Sequence, residues 1–247
     1  MNPAKKSCQG PEQRPAGPPH ETAICPLCRC DDLCGHFRDR RDFYRCTVCG
    51  LVFVPPWQYL SADEEKKRYD LHQNSPEDAD YRRFLSRLFI PLERLLSPGS
   101  DGLDFGSGPS PTLSRMFEEA GHSMTVYDHF YERVPAVLER CYDFITATEV
   151  VEHLHDPKKE LERLWSCLNE GGWLGIMTSH TVPHEAFSQW YYKNDPTHVC
   201  FYSPRTFAWM ARQWNAEVTY ADNDVVLIRK RPAVPYRDGA AGRESLP

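Results

Sequence analysis

The segment Asp104-Phe105-Gly106-Ser107-Gly108 constrains the fold of this chain more than any other feature of its sequence. It follows a short apolar run and precedes a helical pattern. Two glycines separated by one residue let the backbone turn sharply and approach a ligand closely. In an open parallel sheet, ligands bind beyond the carboxyl ends of the strands, where such turns lie. The segment therefore predicts a ligand site after the first strand of an α/β domain.

The region from Gly102 to Lys230 alternates strand and helix patterns. The predicted strands are Gly102–Phe105, Ser123–Tyr127, Tyr142–Ala147, Trp173–Thr178, Val218–Tyr220 and Val225–Arg229. The predicted helices are Pro111–Ala120, Pro157–Leu168 and Ser203–Ala211, and a Gly171-Gly172 turn is predicted before the fourth strand. This alternation predicts an α/β fold, a mostly parallel, doubly wound sheet with helices on both faces.

Composition excludes some classes of protein. The chain has 247 residues, 40% of them hydrophobic, which excludes wholesale disorder. A formal net charge of −6 gives no general attraction to nucleic acid or to an anionic membrane surface. No apolar run approaches the ~18 residues that would span a bilayer, and the first residues lack the apolar core of a secretory signal. We expect a cytoplasmic protein without a membrane segment.

Five zones follow from the sequence. Residues 1–22 and 232–247 are predicted to be disordered tails, because they are rich in Pro, Gly and charge. Residues 23–56 form a cysteine-rich module, 57–98 a helical segment that is expected to cover the ligand site, and 99–231 the α/β domain. In the helical segment, Ser61 and Glu64 make a capping-box pattern. An apolar stripe at helical spacing follows at Tyr81, Phe84, Leu85, Leu88 and Phe89.

The cysteine-rich module contains two Cys-x-x-Cys pairs, Cys25 with Cys28 and Cys46 with Cys49, separated by 17 residues. Two close pairs of thiolates on two tight turns suit tetrahedral zinc, and the spacing resembles that of a zinc ribbon. Gly50 permits the tight turn after the second pair. Cys30 and Cys34 are substitutes with poorer spacing, and a redox pair is the alternative to zinc.

The same module carries basic and aromatic side chains of the kind that bind single-stranded nucleic acid by stacking and charge. They are Arg38, Arg40, Arg41 and Arg45 with Phe37, Phe43 and Tyr44. Acidic residues nearby offset these charges, so the sequence favours a solvated loop, and nucleic-acid binding is the alternative. They are Asp31, Asp32, Asp39 and Asp42.

The glycine turn and the strand that ends at Asp128 resemble the class I methyltransferase superfamily, over about Gly102 to Lys230. The resemblance implies a Rossmann-like sheet and S-adenosyl-L-methionine as cofactor. It implies that Gly106 and Gly108 cradle the methionine part of the cofactor and that Asp104 anchors its amino group. Asp128 would accept hydrogen bonds from the ribose hydroxyls. The remaining cofactor-binding residues implied are Phe105, Ser107, His129, Thr148 and Glu149.

A dinucleotide-binding dehydrogenase is the alternative to a methyltransferase. Pro111 stands where the dinucleotide fingerprint needs its third glycine, which favours the methyltransferase. The sequence also departs from the methyltransferase pattern, because Ser110 replaces a glycine that many relatives carry. In addition, the stretch from Asp128 to Tyr142 is too short for a full helix and a long third strand.

A Glu-x-x-Glu-His pattern follows the third predicted strand. A helical turn would bring Glu149, Glu152 and His153 to one face, where two carboxylates and an imidazole suit a divalent cation. The pattern resembles the metal site of small-RNA 3′-terminal 2′-O-methyltransferases and of ubiquinone-pathway O-methyltransferases, which implies His198 as a further ligand. The candidate second metal is Mg²⁺ or Mn²⁺, and the candidate catalytic residues are Glu152 and His153. The alternative is a structural loop without metal.

Aromatic and polar side chains flank the expected acceptor side of the site. They are Tyr69, His72, Asn74, Trp190, Tyr191 and Tyr192. The sequence thus predicts a methyltransferase that prefers an oxygen of a small-molecule acceptor. A zinc-ribbon binding protein with a non-catalytic cofactor domain is one alternative. An RNA methyltransferase that uses the ribbon to read its substrate is another.

Overall fold

The computed structural model describes residues 23–71 and 75–232. The tails predicted at 1–22 and 232–247 lie outside these residues, except for Pro232, as do His72 and Asn74. The first elements are β1 (Leu33–Arg38), β2 (Asp42–Cys46), β3 (Val52–Phe53), α1 (Ala62–Tyr69) and α2 (Ala79–Glu93). No helix among the described residues is long and apolar enough to cross a membrane.

The remaining elements alternate as the sequence predicts. They are β4 (Asp101–Phe105), α3 (Thr112–Glu119), β5 (Ser123–Tyr127), β6 (Tyr142–Thr148), α4 (Pro157–Ser166), β7 (Leu168–Met177), α5 (His184–Phe187), β8 (Cys200–Phe201), α6 (Pro204–Gln213), β9 (Glu217–Asp222) and β10 (Val225–Arg229). Short 3₁₀ turns lie at Pro56–Gln58, Pro135–Glu139, Val151–His153 and Tyr191–Asn194.

Six strands form the main sheet in the order β5-β4-β6-β7-β10-β9. The first four are parallel to one another, whereas β10 runs antiparallel to both β7 and β9. The parallel strands therefore end at one edge of the sheet, where the turns after β4, β5 and β6 lie side by side. The predicted α/β, Rossmann-like fold is confirmed.

Helices cover both faces of this sheet. On one face, α2 and α3 bury Leu88, Leu92 and Phe117 against residues such as Phe144. On the other face, α4, α6 and the cysteine-rich module share one continuous apolar core with β4, β6 and β7. The two apolar layers stabilise the sheet, because the central parallel strands β4 and β6 are buried on both sides.

The stretch between β5 and β6 contains the 3₁₀ turn Pro135–Glu139 and no strand. This confirms that the segment is too short for a further strand and helix. As a result, β5 is an edge strand of the described sheet. The end of the site beside Asp128 is formed by this short loop.

Two predicted boundaries near the fourth parallel strand were wrong. Helix α4 ends at Ser166, and β7 already begins at Leu168, so Gly171 and Gly172 lie within the strand. Gly171 has φ +83°, and the ladder with β6 is irregular there. Gly171 N–H donates to the Lys230 carbonyl at 2.9 Å, which keeps the irregular part of β7 in the sheet. The glycines therefore make a bulge rather than a loop.

The helical segment 57–98 has two parts with different roles. The capping box of α1 is present, since Ser61 N–H donates to the Glu64 carboxylate at 2.9 Å. Helix α2 carries the predicted apolar stripe and packs directly on β7, where a Cβ at Gly175 would lie 3.0 Å from Leu88 Cδ1. The first part of α2 contributes Tyr81 and Phe84 to the lining of the cavity described below, whereas Leu85, Leu88 and Leu92 of the same helix are buried in the core.

The cysteine-rich module does not form a closed sheet from residues 23–56 alone. Its sheet has the order β1-β2-β3-β8, and the fourth strand comes from late in the chain. Val52 pairs with Phe201 and Phe53 with Cys200. Val54 N–H also donates to the Val199 carbonyl at 2.9 Å. The module and the α/β domain are therefore joined by a shared sheet.

Gly102 in β4 is surrounded by side chains that leave no space for a larger residue. A Cβ there would lie 2.3 Å from Phe144 Cζ and 2.7 Å from Met124 Sδ. We expect Gly102→Ala to lower the free energy of unfolding by about 1–3 kcal/mol, the usual cost of overpacking, in urea denaturation. Ser123→Ala, at an exposed position of the neighbouring strand, is the control and should change it by less than about 0.5 kcal/mol. Equal stability of both variants would contradict this packing.

Candidate active site

A cavity of about 840 Å³ lies at the carboxyl ends of the parallel strands. This volume falls within the range of about 300–1,000 Å³ that is usual for small-molecule sites. It is lined by the predicted cofactor-binding residues Phe105, Gly106, Ser107, Gly108, Asp128, His129, Thr148 and Glu149. The structure thus brings together eight of the nine residues predicted to hold a cofactor.

The glycine turn forms one wall of the cavity. Gly106 has φ +79° and Gly108 φ +65°, a backbone region that disfavours other residues. Gly106 N–H donates to the Tyr127 carbonyl at 2.7 Å, which fixes the turn to the end of β5. A Cβ on Gly106 would lie 2.3 Å from Val150 Cγ2, whereas one on Gly108 would meet nothing within 4 Å. Gly106 is therefore required by both backbone conformation and space.

The carboxylate of Asp128 fastens the turn from the neighbouring strand. It accepts hydrogen bonds from Gly108 N–H at 2.9 Å, Phe130 N–H at 2.8 Å and Tyr131 N–H at 3.1 Å. Three backbone donors hold this side chain at the cavity wall. His129 follows it and also lines the cavity. Asp128 is therefore preorganised on the wall where the resemblance places the ribose.

Asp104 is the one predicted cofactor residue that does not line the cavity. Its side chain is buried beneath the turn, where it accepts hydrogen bonds from Thr146 Oγ1 at 2.8 Å and Ser114 Oγ at 3.0 Å. Burial raises its pKa. The contact with a cofactor amino group stays a prediction, since the buried carboxylate lies beneath the cavity wall and does not line the cavity. Asp104 ties β4 to β6 and α3.

Thr148 and Glu149 end β6 on the opposite wall. Thr148 Oγ1 is buried and has no hydrogen-bond partner among the described residues, so no hydrogen bond offsets the cost of removing this polar atom from water. Glu149 has φ +52°, which is uncommon for a residue with a side chain and is typical of functional sites. Both features fit a wall that is completed by a bound ligand.

Glu149 and Glu152 share a buried tyrosine. Tyr192 Oη lies 2.5 Å from Glu152 Oε1 and 3.1 Å from Glu149 Oε2, and Thr178 Oγ1 donates to Glu152 Oε2 at 3.0 Å. One phenolic proton cannot be donated to two carboxylates at once. Accordingly, burial raises the pKa of Glu152 to about 7, and burial with the neighbouring Glu152 charge raises that of Glu149 to about 8.

Two histidines face each other at the side of the cavity next to this network. His198 Nδ1 is 2.8 Å from the Tyr192 carbonyl, and His153 Nδ1 is 3.2 Å from the Thr197 carbonyl. A carbonyl can only accept, so each Nδ1 carries a proton, and the lone pair of a neutral ring is then on Nε2. Burial lowers the pKa of His198 to about 3, which keeps that ring neutral.

The predicted four-residue metal cluster is only partly formed. Ligand atoms of Glu152, His153 and His198 lie within 4.8 Å of one another, and Glu149 is not part of this group. The prediction that one helical turn aligns all of them was wrong. The turn is a 3₁₀ turn that begins at Val151, after Glu149 has already bent the chain. Glu152 also accepts two side-chain hydrogen bonds and does not line the cavity.

Helix α1 forms part of the cavity wall. It belongs to the segment 57–98, which the sequence predicts to cover the site. Glu65, Arg68 and Tyr69 line it. Glu65 Oε1 lies 2.7 Å from His155 Nε2, and Arg68 pairs with Asp195 at 3.6 Å. These contacts tie α1 to both sides of the opening. Sequence spacing could not reveal them, because each joins segments far apart in the chain.

The aromatic residues expected at the acceptor side take three different positions. Trp190 is packed in the core, and Tyr191 is 74% exposed. Of Trp190, Tyr191 and Tyr192, only Tyr192 contacts the site, through its hydroxyl group between the two glutamates. None of the three lines the cavity.

The four predicted cysteine ligands converge at the far end of the module. All their sulfur atoms lie within 4.8 Å of one another, with Cys25 Sγ 3.5 Å from Cys49 Sγ and Cys28 Sγ 3.3 Å from Cys46 Sγ. Thiolates bound tetrahedrally to zinc at about 2.3 Å lie roughly 3.8 Å apart. The arrangement therefore fits a tetrahedral metal.

Backbone N–H groups favour the charged form of these sulfurs. The Cys28 and Cys49 amides bind the first sulfur of each pair, and the Cys30 and Leu51 amides bind the second. The residue after each pair, Arg29 or Gly50, has a positive φ. The two turns therefore repeat one geometry, and Gly50 makes the turn that the sequence predicts.

The substitutes Cys30 and Cys34 stay outside this group. Cys30 Sγ accepts a hydrogen bond from Asp32 N–H at 3.3 Å, and Cys34 Sγ lies 3.7 Å from the Arg45 carbonyl. Two of the arginines in the basic and aromatic stretch are also engaged. Arg38 pairs with Asp42 at 3.1 Å, and Arg41 binds backbone carbonyls of the α/β domain.

The difference between the two glycines gives a test of the cavity wall. We expect Gly106→Ala to weaken binding of S-adenosylhomocysteine at least tenfold in calorimetric titration, because strain from positive φ of about 1–2 kcal/mol adds to the clash with Val150. Gly108→Ala carries comparable strain without the clash, so its loss should be smaller. Equal losses in both variants would contradict the steric role of Gly106.

Comparison with known proteins agrees with this geometry. A family described as "Methyltransferase domain" matches residues 72–221, more than half of the chain. No curated protein sequence matches the chain.

Several solved structures are similar to the chain. The 1,6-didemethyltoxoflavin-N1-methyltransferase of Burkholderia thailandensis, solved with 1,6-didemethyltoxoflavin and S-adenosylhomocysteine, has 15% identity and a TM-score of 0.46 over 80% of this chain and 99% of its own. A SAM-dependent methyltransferase of Thermotoga maritima, described as a possible histamine N-methyltransferase, has 15% identity and a TM-score of 0.38 over 61% and 93%. An O-methyltransferase family protein of Burkholderia thailandensis has 11% identity and a TM-score of 0.45 over 68% and 63%.

The domain match spans α2, the glycine turn, both glutamates and both histidines of the site. It therefore covers the parallel sheet and the cavity walls formed by its strand ends. On this match, the chain belongs to the methyltransferase domain family.

Proposed function

We propose that this protein transfers a methyl group from S-adenosylmethionine to a hydroxyl oxygen of a small-molecule acceptor. The family membership supports methyl transfer. The size and the lining residues of the cavity support binding of S-adenosylmethionine. The observation that carries the oxygen preference is the pair His153 and His198 beside the cavity, whose Nδ1 atoms donate to carbonyls, so that the acceptor nitrogen of each neutral ring is Nε2. Such nitrogens accept a hydrogen bond from a hydroxyl group.

The cavity walls fit the proposed cofactor. Gly106 and Gly108 permit close approach of a ligand, and Asp128 supplies a fixed carboxylate for hydroxyl groups. Thr148 Oγ1 is the buried polar atom that a ligand would satisfy. When bound, S-adenosylmethionine supplies an electrophilic methyl group on a positively charged sulfur. The protein's remaining task is to orient the acceptor oxygen and to receive its proton.

We assign proton acceptance to His153. Its ring lines the cavity, and its Nε2 lies 3.9 Å from Glu152 Oε1. The proton of the acceptor hydroxyl moves to Nε2, and the resulting imidazolium is stabilised by the nearby carboxylate when Glu152 is ionised. Glu152 is thus a positioning and electrostatic residue, because it does not reach the cavity. His198, kept neutral by burial, orients the hydroxyl group.

The proposal predicts that the protein binds S-adenosylhomocysteine and methylates members of a library of small hydroxylated compounds. We expect His153→Ala to lower kcat by about 10²–10⁴, the usual contribution of a general base, and to leave S-adenosylhomocysteine affinity within about twofold. His184→Ala, an exposed histidine outside the cavity, is the matched control. Methylation that is confined to nitrogen or carbon acceptors would refute the oxygen preference.

The alternative role of Glu152, His153 and His198 is to bind a divalent cation. Mg²⁺ or Mn²⁺ at this position would lower the pKa of the acceptor hydroxyl. We favour the general base, because both oxygens of Glu152 already accept hydrogen bonds. Activity that is lost in EDTA, restored by Mg²⁺ or Mn²⁺, and absent in the double variant Glu152→Gln/His198→Ala would favour the cation instead.

The same experiments would also reveal either of two other functions. Cofactor binding without turnover on any acceptor would indicate a non-catalytic binding protein. RNA methylation that falls steeply with salt and disappears when Arg40 is neutralised would indicate an RNA enzyme. A small-molecule acceptor is better supported, because the guanidinium of Arg41 binds backbone carbonyls of the protein and Arg38 pairs with Asp42.

We further propose that Cys25, Cys28, Cys46 and Cys49 hold one structural zinc ion in a ribbon-like module. The convergence of four sulfurs and the backbone N–H groups directed at them support this role. A closed set of four thiolates leaves no position for a substrate, which favours a structural over a catalytic ion.

Metal analysis of the purified protein tests the zinc proposal. We expect about one equivalent of zinc per chain, and its loss together with a lower melting temperature in Cys46→Ser, because three thiolates bind zinc less tightly than four. The control is Cys141→Ser, an exposed thiol outside the cluster, which should retain the metal. Full zinc content in Cys46→Ser would contradict the proposal.

A further inference from the structure

Arg41 connects the cysteine-rich module to the acceptor side of the cavity. It lies in the turn between β1 and β2, and its guanidinium donates to four backbone carbonyls of one segment. The acceptors are Lys193 O at 2.5 Å, Asp195 O at 2.8 Å, Pro196 O at 3.0 Å and His198 O at 3.0 Å. A planar guanidinium with five N–H groups can satisfy several carbonyls at once, which a lysine ammonium cannot do with the same geometry.

A second contact from the same turn holds the beginning of this segment. Asp39 Oδ2 lies 2.5 Å from Lys193 Nζ, and the lysine side chain is only 3% exposed. Lys193 Nζ also lies 5.0 Å from the centre of the Phe37 ring. The end of the segment continues into β8, which pairs with β3 of the module. The module therefore fixes residues 193–198 at both ends and in the middle.

Carbonyls in and next to this segment determine which ring nitrogen of each of the two histidines carries the proton. The Thr197 carbonyl binds His153 Nδ1, and the adjacent Tyr192 carbonyl binds His198 Nδ1. Asp195 Oδ1 braces the same turn by accepting from Thr197 N–H at 2.9 Å and Thr197 Oγ1 at 2.7 Å. If these carbonyls moved, neither imidazole would be held with its lone pair on Nε2.

We infer that Arg41 is a positioning residue for methyl transfer. It acts by holding the segment 193–198, and so keeps in place the neighbouring carbonyls of Tyr192 and Thr197 that select the tautomers of His198 and His153. The cysteine-rich module is then a support of the acceptor side rather than a separate reader of substrate. This inference rests on the proposed function, because it concerns histidines assigned to the acceptor. It does not depend on which acceptor is used.

The chemical environment of Arg41 agrees with this role. Four carbonyl contacts leave the guanidinium little capacity for a further ligand, so binding of a nucleic-acid phosphate would require it to release the segment. By contrast, Arg40 in the same turn is exposed. The two arginines thus provide a matched pair, one bound to the segment and one in solvent.

The experiment compares the zinc-loaded proteins Arg41→Lys, Arg41→Ala and Arg40→Ala with the wild type. Imidazole nitrogen resonances, assigned with His153→Gln and His198→Gln, report the tautomer of each ring. We expect the wild type and Arg40→Ala to show Nδ1–H for both rings. In Arg41→Ala, both rings should populate the Nε2–H form, and Arg41→Lys should rescue them only in part. Unchanged tautomers in Arg41→Ala would overturn the inference.

Hydrogen exchange gives an independent measurement on the same proteins. The Val199 amide donates to Glu152 O at 2.8 Å and the His198 amide to Asp195 O at 3.2 Å. We expect exchange at these amides to accelerate at least about tenfold in Arg41→Ala, with protection of β4 and β6 retained. If Arg41→Ala fails to fold, Arg41→Lys alone decides, and wild-type protection of the segment in that variant would contradict the inference.

Cofactor and turnover measurements separate this inference from the proposed function. We expect Arg41→Lys to bind S-adenosylhomocysteine within about twofold of the wild type and to lower kcat/KM for the acceptor. A wild-type protein that binds no S-adenosylhomocysteine would refute the proposed function, while the tautomers would still test the contact. Altered tautomers with wild-type kcat/KM would leave methyl transfer standing and overturn the positioning role.

Discussion

The buried carboxylate of Asp104 is the interaction on which the rest of the site depends. It joins the end of β4 to Thr146 of β6 and to Ser114 of α3, directly beneath the glycine turn. A buried carboxylate is costly unless hydrogen bonds compensate it, so both hydroxyl groups are needed to keep it there. The glycine turn lies directly on this junction, which holds its two positive-φ glycines at the end of β4.

The opposite wall of the cavity is built around a second buried network. Glu149 and Glu152 converge on Tyr192, so the loop after β6 is tied to the segment that leads into β8. The same segment carries His198 and is bound by Arg41 from the module. Hydrogen bonds thus connect the loop after β6, the segment before β8 and the cysteine-rich module, although the three are far apart in sequence. We expect a displacement of one of them to displace the other two.

The succession of strands and helices along the chain and the position of the cavity could be predicted, because they follow from local patterns. Apolar runs, the glycine turn and Asp128 are each readable over a few residues, and parallel strands bring their ends to one edge. The four cysteines were predictable for the same reason, since metal spacing is local. Asp104 shows the limit of such patterns, because sequence alone does not tell whether an acidic residue points into the cavity or beneath it.

Contacts between distant segments could not be predicted. Nothing in the spacing of Tyr192 indicates that its hydroxyl group lies between Glu149 and Glu152. Likewise, Arg41 reads as one of several arginines in a basic and aromatic stretch, and only the tertiary structure shows that it binds carbonyls. The predicted helical turn at Glu149 also failed for a tertiary reason, because the chain must bend there to return from the sheet.

The pairing of β3 with β8 has a consequence for how the protein is made. Domains generally fold as units while the chain emerges from the ribosome, beginning at the amino terminus. Here all four clustered cysteines emerge early, but the strand that completes their sheet is among the last parts of the domain to be synthesised. During that interval, the thiols depend on metal or on a reducing environment to avoid disulfide formation. Early zinc capture would therefore protect the nascent chain before the sheet can close.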